Sequence, residues 1–154
     1  MSERRIRDIV IVGGGTAGWM AAALLSKIVG TQSNTVTLIE SEEIGTVGVG
    51  EATIPPIRLF NNQLEIDEDE FVRETNATFK LGISFENWRN VDEDYIHSFG
   101  TTGTDHWTAG FQHFWHKGRE RGIAGDYGDY CLELKAGLKD KFAHLPHNGM
   151  NYAY

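Results

Sequence analysis

Hydrophobic and polar positions are most clearly patterned in the first 40 residues of the chain. Residues 6–12 (IRDIVIV) form a short apolar run rich in β-branched side chains, and residues 36–40 (VTLIE) form a second. Both runs are typical of buried strands. Between them, residues 19–29 are rich in alanine and leucine and stop at Gly30, which predicts a helix with a glycine terminator. This order predicts a βαβ unit with parallel strands and a right-handed crossover.

The pattern further along predicts short helices and then a strand. Two prolines at positions 55–56 suit the first turn of a helix that runs to Gln63. Asp67 followed by Glu70 has the spacing of a capping box at the start of another helix. We expect that helix to continue to Gly82, which puts Lys80 in its last turn. Residues 83–88 alternate as a half-buried strand does, and a helix is predicted over 111–121.

Charge and cysteine content narrow the class of protein. The 154 residues carry a formal net charge of -8, from 22 acidic and 14 basic side chains. This balance argues against a nucleic-acid partner or an anionic membrane surface, because both require a basic footprint. Cys131 is the single cysteine, so an internal disulfide is excluded and a cytoplasmic protein is expected. No apolar run approaches the ~20 residues that a membrane span requires.

A glycine fingerprint follows the first predicted strand. Gly13, Gly15 and Gly18 have the GxGxxG spacing between a strand and a helix, which is typical of dinucleotide-binding folds. Gly13 allows the tight turn, Gly15 allows the backbone to approach a pyrophosphate, and Gly18 allows close packing. Glu40 ends the next strand, where a carboxylate binds a ribose hydroxyl and disfavours NADP. The predicted cofactor-binding residues in this unit are Gly13, Gly15, Thr16, Ala17, Gly18 and Glu40.

Other candidate residues carry weaker signals when each is taken alone. A glycine-rich loop at residues 48–55 could run along a flat ring system or be a plain connector. A lysine such as Lys80 near a helix end is usually solvated, and His97 with Phe99 is most often part of an ordinary aromatic loop. The spacing of His106, His113 and His116 would put them on one helical face if the helix extended that far. Residues 107–110 argue against such a helix and no nearby acid completes a metal shell, so packing or solvation is favoured and no metal is expected.

Taken together, these segments resemble the flavin-dependent tryptophan halogenases over essentially the whole chain. The resemblance rests on residues 9–19 (IVIVGGGTAGW), 48–55 (GVGEATIP), 76–80 (NATFK), 95–100 (YIHSFG) and 151–154 (NYAY). It implies an α/β, FAD-binding Rossmann-like (doubly wound) fold with a parallel sheet that is incomplete in this chain. Residues 1–56 would form the βαβ unit and flavin loop, and residues 57–154 the helical and aromatic side of a substrate region.

The resemblance also implies a chemistry. In that family, reduced FAD, O2 and chloride or bromide produce hypohalous acid, which travels to a lysine beside an aromatic substrate. Lys80 matches that catalytic lysine, which either hydrogen-bonds the oxidant or becomes a haloamine. His97 and Phe99 match aromatic residues that stack on the substrate indole, and Glu51 and Ala52 lie in the loop beside the flavin. A separate flavin reductase that supplies FADH2 and a homodimer are further expectations.

Several expected features of the family are missing from the sequence. The paired catalytic glutamate, the WxWxIP motif and a third aromatic wall have no counterpart here, so we expect a fragment with weak flavin binding and no turnover alone. The substrate remains open among tryptophan, other indoles, phenols and pyrroles. Two alternatives stay open: an FAD-dependent aromatic monooxygenase, which does not require Lys80, and a flavin-binding fragment without activity.

Overall fold

The computed structural model describes residues 6–30, 34–45, 51–145 and 149–154. The chain divides into two compact units. The first comprises Met1–Glu51 and Arg58–Phe71, and the second comprises Ala52–Ile57 and Val72–Tyr154. The division predicted at residues 1–56 and 57–154 separates a flavin-binding part from a substrate-binding part. The two compact units are defined by packing alone and do not test it, so it stays a prediction. Residues 46–50, which include the first three residues of the expected flavin loop, lie outside the described residues.

The first unit contains the predicted βαβ arrangement. Strand β1 (Asp8–Val12) pairs in parallel with β2 (Thr35–Ile39), from Asp8 opposite Thr35 to Val12 opposite Ile39. Helix α1 (Thr16–Val29) connects them, packs against both strands and ends at Gly30, whose φ is 70°. The positive φ explains why glycine stands at this helix end. The predicted βαβ unit with parallel strands is therefore confirmed.

The expectation that β1 and β2 are buried is wrong. Residues in both strands alternate between half-buried and exposed. Val10 is 58% exposed, Val12 81% and Ile39 51%. Helix α1 covers one face of the pair, and among the described residues no second layer covers the other face.

Two short helices follow, and only one has the predicted end. Helix α2 (Pro56–Gln63) has the predicted limits. Helix α3 (Glu68–Thr75) starts as expected, because the Asp67 carboxylate accepts the backbone N–H of Glu70 at 2.9 Å. It stops at Thr75 because Asn76 takes a left-handed φ of 52°. The prediction that Lys80 lies in the last turn of this helix is wrong.

The second unit is built on an antiparallel sheet. Strand β3 (Gly82–Phe85) pairs with β4 (Tyr95–Ser98), from Gly82 opposite Ser98 to Phe85 opposite Tyr95. On the other side of the same segment, Lys80 exchanges both backbone hydrogen bonds with Ala153, each at 2.9 Å. Lys80 thus lies in extended chain between two neighbouring segments. The strand predicted over residues 83–88 is confirmed in shorter form, and β4 was not predicted.

Helices and an aromatic core complete the second unit. Helix α4 (Phe111–Glu120) matches its predicted position, a 3₁₀ turn spans Tyr127–Tyr130, and α5 (Leu132–Gly137) follows. The buried residues Leu81, Met150 and Tyr152 pack together, with partly buried Ala136, Phe142 and Tyr154 around them. The Phe79 and Phe142 rings stack with centroids 3.9 Å apart.

Within residues 6–30, 34–45, 51–145 and 149–154, none of the helices is long and apolar enough to cross a bilayer. The same residues contain no group of three or more His, Cys, Asp or Glu side chains placed to hold a metal ion. His113 and His116 lie on α4, whereas His106 precedes the helix, so the three do not share one helical face.

Candidate functional site

The glycine turn between β1 and α1 opens onto a cavity of about 770 Å³. Its walls come from the turn, from the end of β2 and from the chain that follows β2. Six of the predicted cofactor-binding residues line it: Gly13, Gly15, Thr16, Ala17, Glu40 and Glu51. Gly18 is not part of the lining, and Ala52 belongs to the second unit. The structure therefore brings most of the predicted binding residues of the first unit into one concave site.

The backbone of the turn explains the glycine spacing. Gly13 has a φ of 117°, and its N–H donates to the Ile39 carbonyl at 2.8 Å, which joins the turn to β2. A Cβ on Gly18 would collide with the carbonyl oxygen of Gly13. A Cβ on Gly15 would project into open space. Gly18 thus serves helix–strand packing, and the space beside Gly15 stays open for a ligand.

The start of α1 faces this cavity with the properties of an anion site. Gly15 is the N-cap in extended conformation, and among the described residues no side chain caps the helix there. The first helical turn has no acidic residue. Backbone N–H groups and the helix dipole together favour a phosphate at such a helix start. The donor set therefore fits the pyrophosphate of a dinucleotide.

Two carboxylates on the cavity wall have defined hydrogen-bond partners. Glu40 accepts from the indole Nε1 of Trp19 at 3.3 Å. Glu51 accepts from the Thr16 hydroxyl at 3.0 Å, which holds this acid near the positive end of α1. Glu40 directly follows β2, the position at which dinucleotide-binding folds commonly carry an acid. The sequence analysis did not predict the hydrogen bond from Trp19 to Glu40, although the position of Trp19 directly after Gly18 could have indicated that it lies near the cavity.

Lys80 is held in the second unit by three different groups. Its ammonium donates to the Thr53 carbonyl at 3.0 Å, and it lies 5.5 Å from the centroid of the Phe99 ring. Its backbone is paired with Ala153. The residue is half-buried, so the amine is partly withdrawn from solvent. Lys80 is therefore an oriented cation beside an aromatic ring and not a freely solvated lysine.

Phe99 and His97 lie along the same stretch of chain but in different surroundings. Phe99 extends the pairing of β4, because its N–H donates to the Leu81 carbonyl at 2.9 Å. It is half-buried, whereas His97, opposite Ile83, is exposed. The structure thus brings Phe99 to Lys80, whereas His97 lies two residues earlier, on β4.

A buried polar network that the sequence did not reveal lies behind these residues. Glu133 is 7% exposed and accepts the backbone N–H of Asn151 at 2.9 Å. The thiol of Cys131, 2% exposed, lies 3.9 Å from Glu133 Oε2 and 3.2 Å from the Ser98 hydroxyl. That hydroxyl also accepts the N–H of Gly100. The network ties the segment before Ala153 to the segment around Phe99.

Comparison with known proteins identifies the family. A family model described as "Tryptophan halogenase" matches residues 8–154. This chain belongs to the tryptophan halogenase family. Among curated relatives, tryptophan 6-halogenase SttH of Streptomyces toxytricini is 48% identical over 99 residues, which cover 64% of this chain and 19% of SttH. Tryptophan 7-halogenase RebH of Lentzea aerocolonigenes is 45% identical over 113 residues, covering 73% of this chain and 20% of RebH.

Solved structures confirm the fold class. A flavin-dependent halogenase from Xanthomonas campestris is 65% identical with a TM-score of 0.87, and the match covers 97% of this chain and 30% of that one. BrvH, a flavin-dependent halogenase from Brevundimonas, is 42% identical with a TM-score of 0.81 over the same shares. The α/β architecture and its parallel strand pair are thus part of an FAD-binding Rossmann-like fold. The chain spans about a fifth of the length of these curated relatives and three tenths of these structures.

Proposed function

We propose that the protein carrying this chain is an FAD-dependent halogenase that uses Lys80 to halogenate an aromatic substrate, tryptophan or another indole. The observation that carries this proposal is the oriented ammonium of Lys80, 3.0 Å from the Thr53 carbonyl and 5.5 Å from the Phe99 ring centroid. Relatives of this chain are named tryptophan 6- and 7-halogenases, which supports the indole substrate class.

The first unit would hold the dinucleotide part of the flavin. The N–H groups at the start of α1 would bind the pyrophosphate, and Glu40 would accept from a ribose hydroxyl. Glu51 and Ala52 would lie beside the flavin ring, with Thr16 keeping the Glu51 carboxylate in place at 3.0 Å. Bound as FADH2 from a separate reductase, the cofactor supplies hypohalous acid from O2 and chloride or bromide.

The second unit would direct the halogen to carbon. Phe99 and His97 would stack on the flat ring of the substrate. Lys80 would donate a hydrogen bond to the oxygen of hypohalous acid, or carry the halogen as a haloamine. In the first case the arene carbon takes the halogen, the O–X bond breaks, and the ring proton leaves with the oxygen as water. In the second case the neutral amine takes the halogen as the O–X bond breaks and water leaves, and the arene carbon then takes the halogen from nitrogen while the ring proton returns to the amine. Holding the oxidant and one carbon together supplies much of the rate.

The test is halide-dependent product formation by the protein from the full reading frame that contains this chain. The assay contains FAD, a flavin reductase, NADH and bromide, with tryptophan and a panel of indoles and phenols analysed by mass spectrometry. We expect a brominated product with the bromine isotope doublet. In Lys80→Ala the rate should fall by about a hundredfold or more, because the oxidant is no longer held at the carbon.

Two control variants separate the chemistry from general damage. Lys117 forms a surface ion pair with Glu120 at 2.8 Å, so Lys117→Ala should keep the wild-type rate. Gly18→Ala introduces the collision with the Gly13 carbonyl and should abolish flavin binding. A hydroxylated product that persists in Lys80→Ala would replace this proposal with an aromatic monooxygenase. Flavin binding without any product would favour a fragment without activity.

A further inference from the structure

The Lys80 amine is fixed by a small circuit of hydrogen bonds that closes on one residue, Thr53. We infer that Thr53 is a positioning residue for Lys80, and that its side-chain hydroxyl is required to aim the amine. The inference rests on the proposed function only for its consequence in catalysis. The geometry of the circuit stands without it.

All three polar groups of Thr53 are used. Its carbonyl accepts from Lys80 Nζ at 3.0 Å. Its hydroxyl donates to the Tyr154 carbonyl at 2.8 Å and accepts the Tyr154 N–H at 3.0 Å. Its own N–H donates to the same carbonyl at 2.8 Å. Four hydrogen bonds on one half-buried residue leave its carbonyl little freedom to turn.

The circuit closes through the neighbour of Tyr154. Ala153 exchanges both backbone hydrogen bonds with Lys80 and is fully buried, with 0% exposure. The backbone of Lys80 is therefore fixed by Ala153, and its ammonium is fixed by Thr53. Thr53 and Ala153 are linked in turn by Tyr154. The circuit joins positions 27 and 101 residues apart, which local sequence patterns do not register.

This arrangement has a consequence for the direction of the amine. A lysine ammonium has three donors on a stem with several freely rotating bonds. Among the described residues, Thr53 takes one donor by a direct hydrogen bond, and the Phe99 ring lies 5.5 Å away. Fixing one N–H restricts where the other two point. A reaction at one carbon depends on that restriction, since a displacement of about 1 Å can cost ~100-fold in rate.

The test compares Thr53→Val, which keeps the shape and removes the hydroxyl, with Thr53→Ser, which keeps the hydroxyl. Both are made in the protein from the full reading frame, and folding is checked by circular dichroism. The first readout is acetylation of Lys80 by an N-hydroxysuccinimide ester, measured by peptide mass spectrometry against Lys117 as internal reference. We expect the Lys80 ratio to rise about fivefold in Thr53→Val, where the amine is released, and to stay near wild type in Thr53→Ser.

The second readout is catalytic. In Thr53→Val we expect kcat for halogenation to fall about tenfold with KM for the aromatic substrate unchanged, while a soluble 1,3-dione still traps hypohalous acid at the wild-type rate. In Thr53→Ser, which keeps the hydroxyl, kcat should stay near the wild-type value. Thr53→Ala removes the hydroxyl without adding a methyl group and replaces Thr53→Val if that variant does not fold.

The two readouts separate this inference from the proposed function. An unchanged Lys80 acetylation ratio in Thr53→Val would overturn the inference, whether or not the protein halogenates. A Lys80 acetylation ratio that rises in Thr53→Val and stays at the wild-type value in Thr53→Ser supports the inference, even if no substrate is halogenated. In that last case the proposed function fails and the role of Thr53 in holding Lys80 stands. Equal losses of kcat in Thr53→Val and Thr53→Ser would also contradict the inference, since the hydroxyl would then be irrelevant.

Discussion

The two units of this chain differ in what holds them together. In the first unit the strands alternate between half-buried and exposed residues, and Asn61 is the one residue there, among those described, that is buried. In the described part of the second unit five apolar residues are buried: Leu81, Cys131, Met150, Tyr152 and Ala153. The first unit, whose secondary structure is easier to predict from the sequence, therefore has fewer buried residues among those described.

The difference agrees with the roles proposed for the two units. Backbone N–H groups at one turn would hold a pyrophosphate, which calls only for the local geometry of residues 13–18. The proposed role of Lys80 calls for an amine aimed by rigid neighbours, and these can come from distant parts of the sequence. Its partners Thr53, Phe99 and Ala153 meet this need from three separate segments.

The largest effect expected from this comparison concerns the core of the second unit. Leu81→Ala should lower the free energy of unfolding by about 3 kcal/mol, because a leucine that is 8% exposed leaves a cavity. Val10→Thr, on the 58% exposed face of β1, should change it by less than about 0.5 kcal/mol. Urea unfolding of both variants checks the pair. Similar losses in the two would mean that the first unit contributes as much to stability as the second.

A smaller effect is expected at the buried carboxylate behind Phe99. Glu133→Ala should cost about 2 kcal/mol of unfolding free energy, since the N–H of Asn151 loses its acceptor. Glu133→Gln keeps an acceptor oxygen and the shape, and should be close to wild type. Thermal unfolding of the two variants makes the comparison. If both lose the same stability, the negative charge matters and not the hydrogen bond to Asn151.

The smallest effect is expected from an ion pair on the surface of the second unit. Lys135 Nζ donates to Asp129 Oδ1 at 2.7 Å, and this hydrogen bond, with the lysine charge, lowers the pKa of Asp129 below its ordinary 3.8. The pair therefore stabilises the fold fully above pH 3.8, and this contribution disappears as the pH falls through the lower pKa of the folded state. Because both side chains are exposed, the contribution is slight.

Lys135→Met tests this pH dependence. We expect a small deficit in unfolding free energy relative to wild type at about pH 6 that closes by about pH 2. Urea titrations at both values measure it. A deficit that widens towards low pH would contradict the lowered pKa of Asp129. A large deficit at neutral pH would show that surface charge, and not the core around Leu81, dominates the second unit.

Sequence reasoning succeeded and failed at identifiable places. It predicted the GxGxxG turn, and the structure puts Glu40 at the predicted strand end, because both depend on a few adjacent residues. It selected Lys80 by family resemblance but put the residue on a helix. The helix that starts after Asp67 was expected to continue to Gly82, but the left-handed backbone of Asn76 ends it at Thr75. The roles of Lys80, His97 and Phe99 in catalysis stay predictions.

By itself the sequence determined the βαβ unit, its parallel pairing and the glycine turn between β1 and α1, since strand runs, glycine spacing and helix stops act over a few residues. Only the tertiary structure decided what surrounds Lys80. The Thr53 carbonyl, the Phe99 ring and the Ala153 backbone reach it from positions 27, 19 and 73 residues away along the chain. The buried Glu133 likewise meets Asn151 across 18 residues. Such contacts depend on how separate segments pack into a common core, which no local periodicity records.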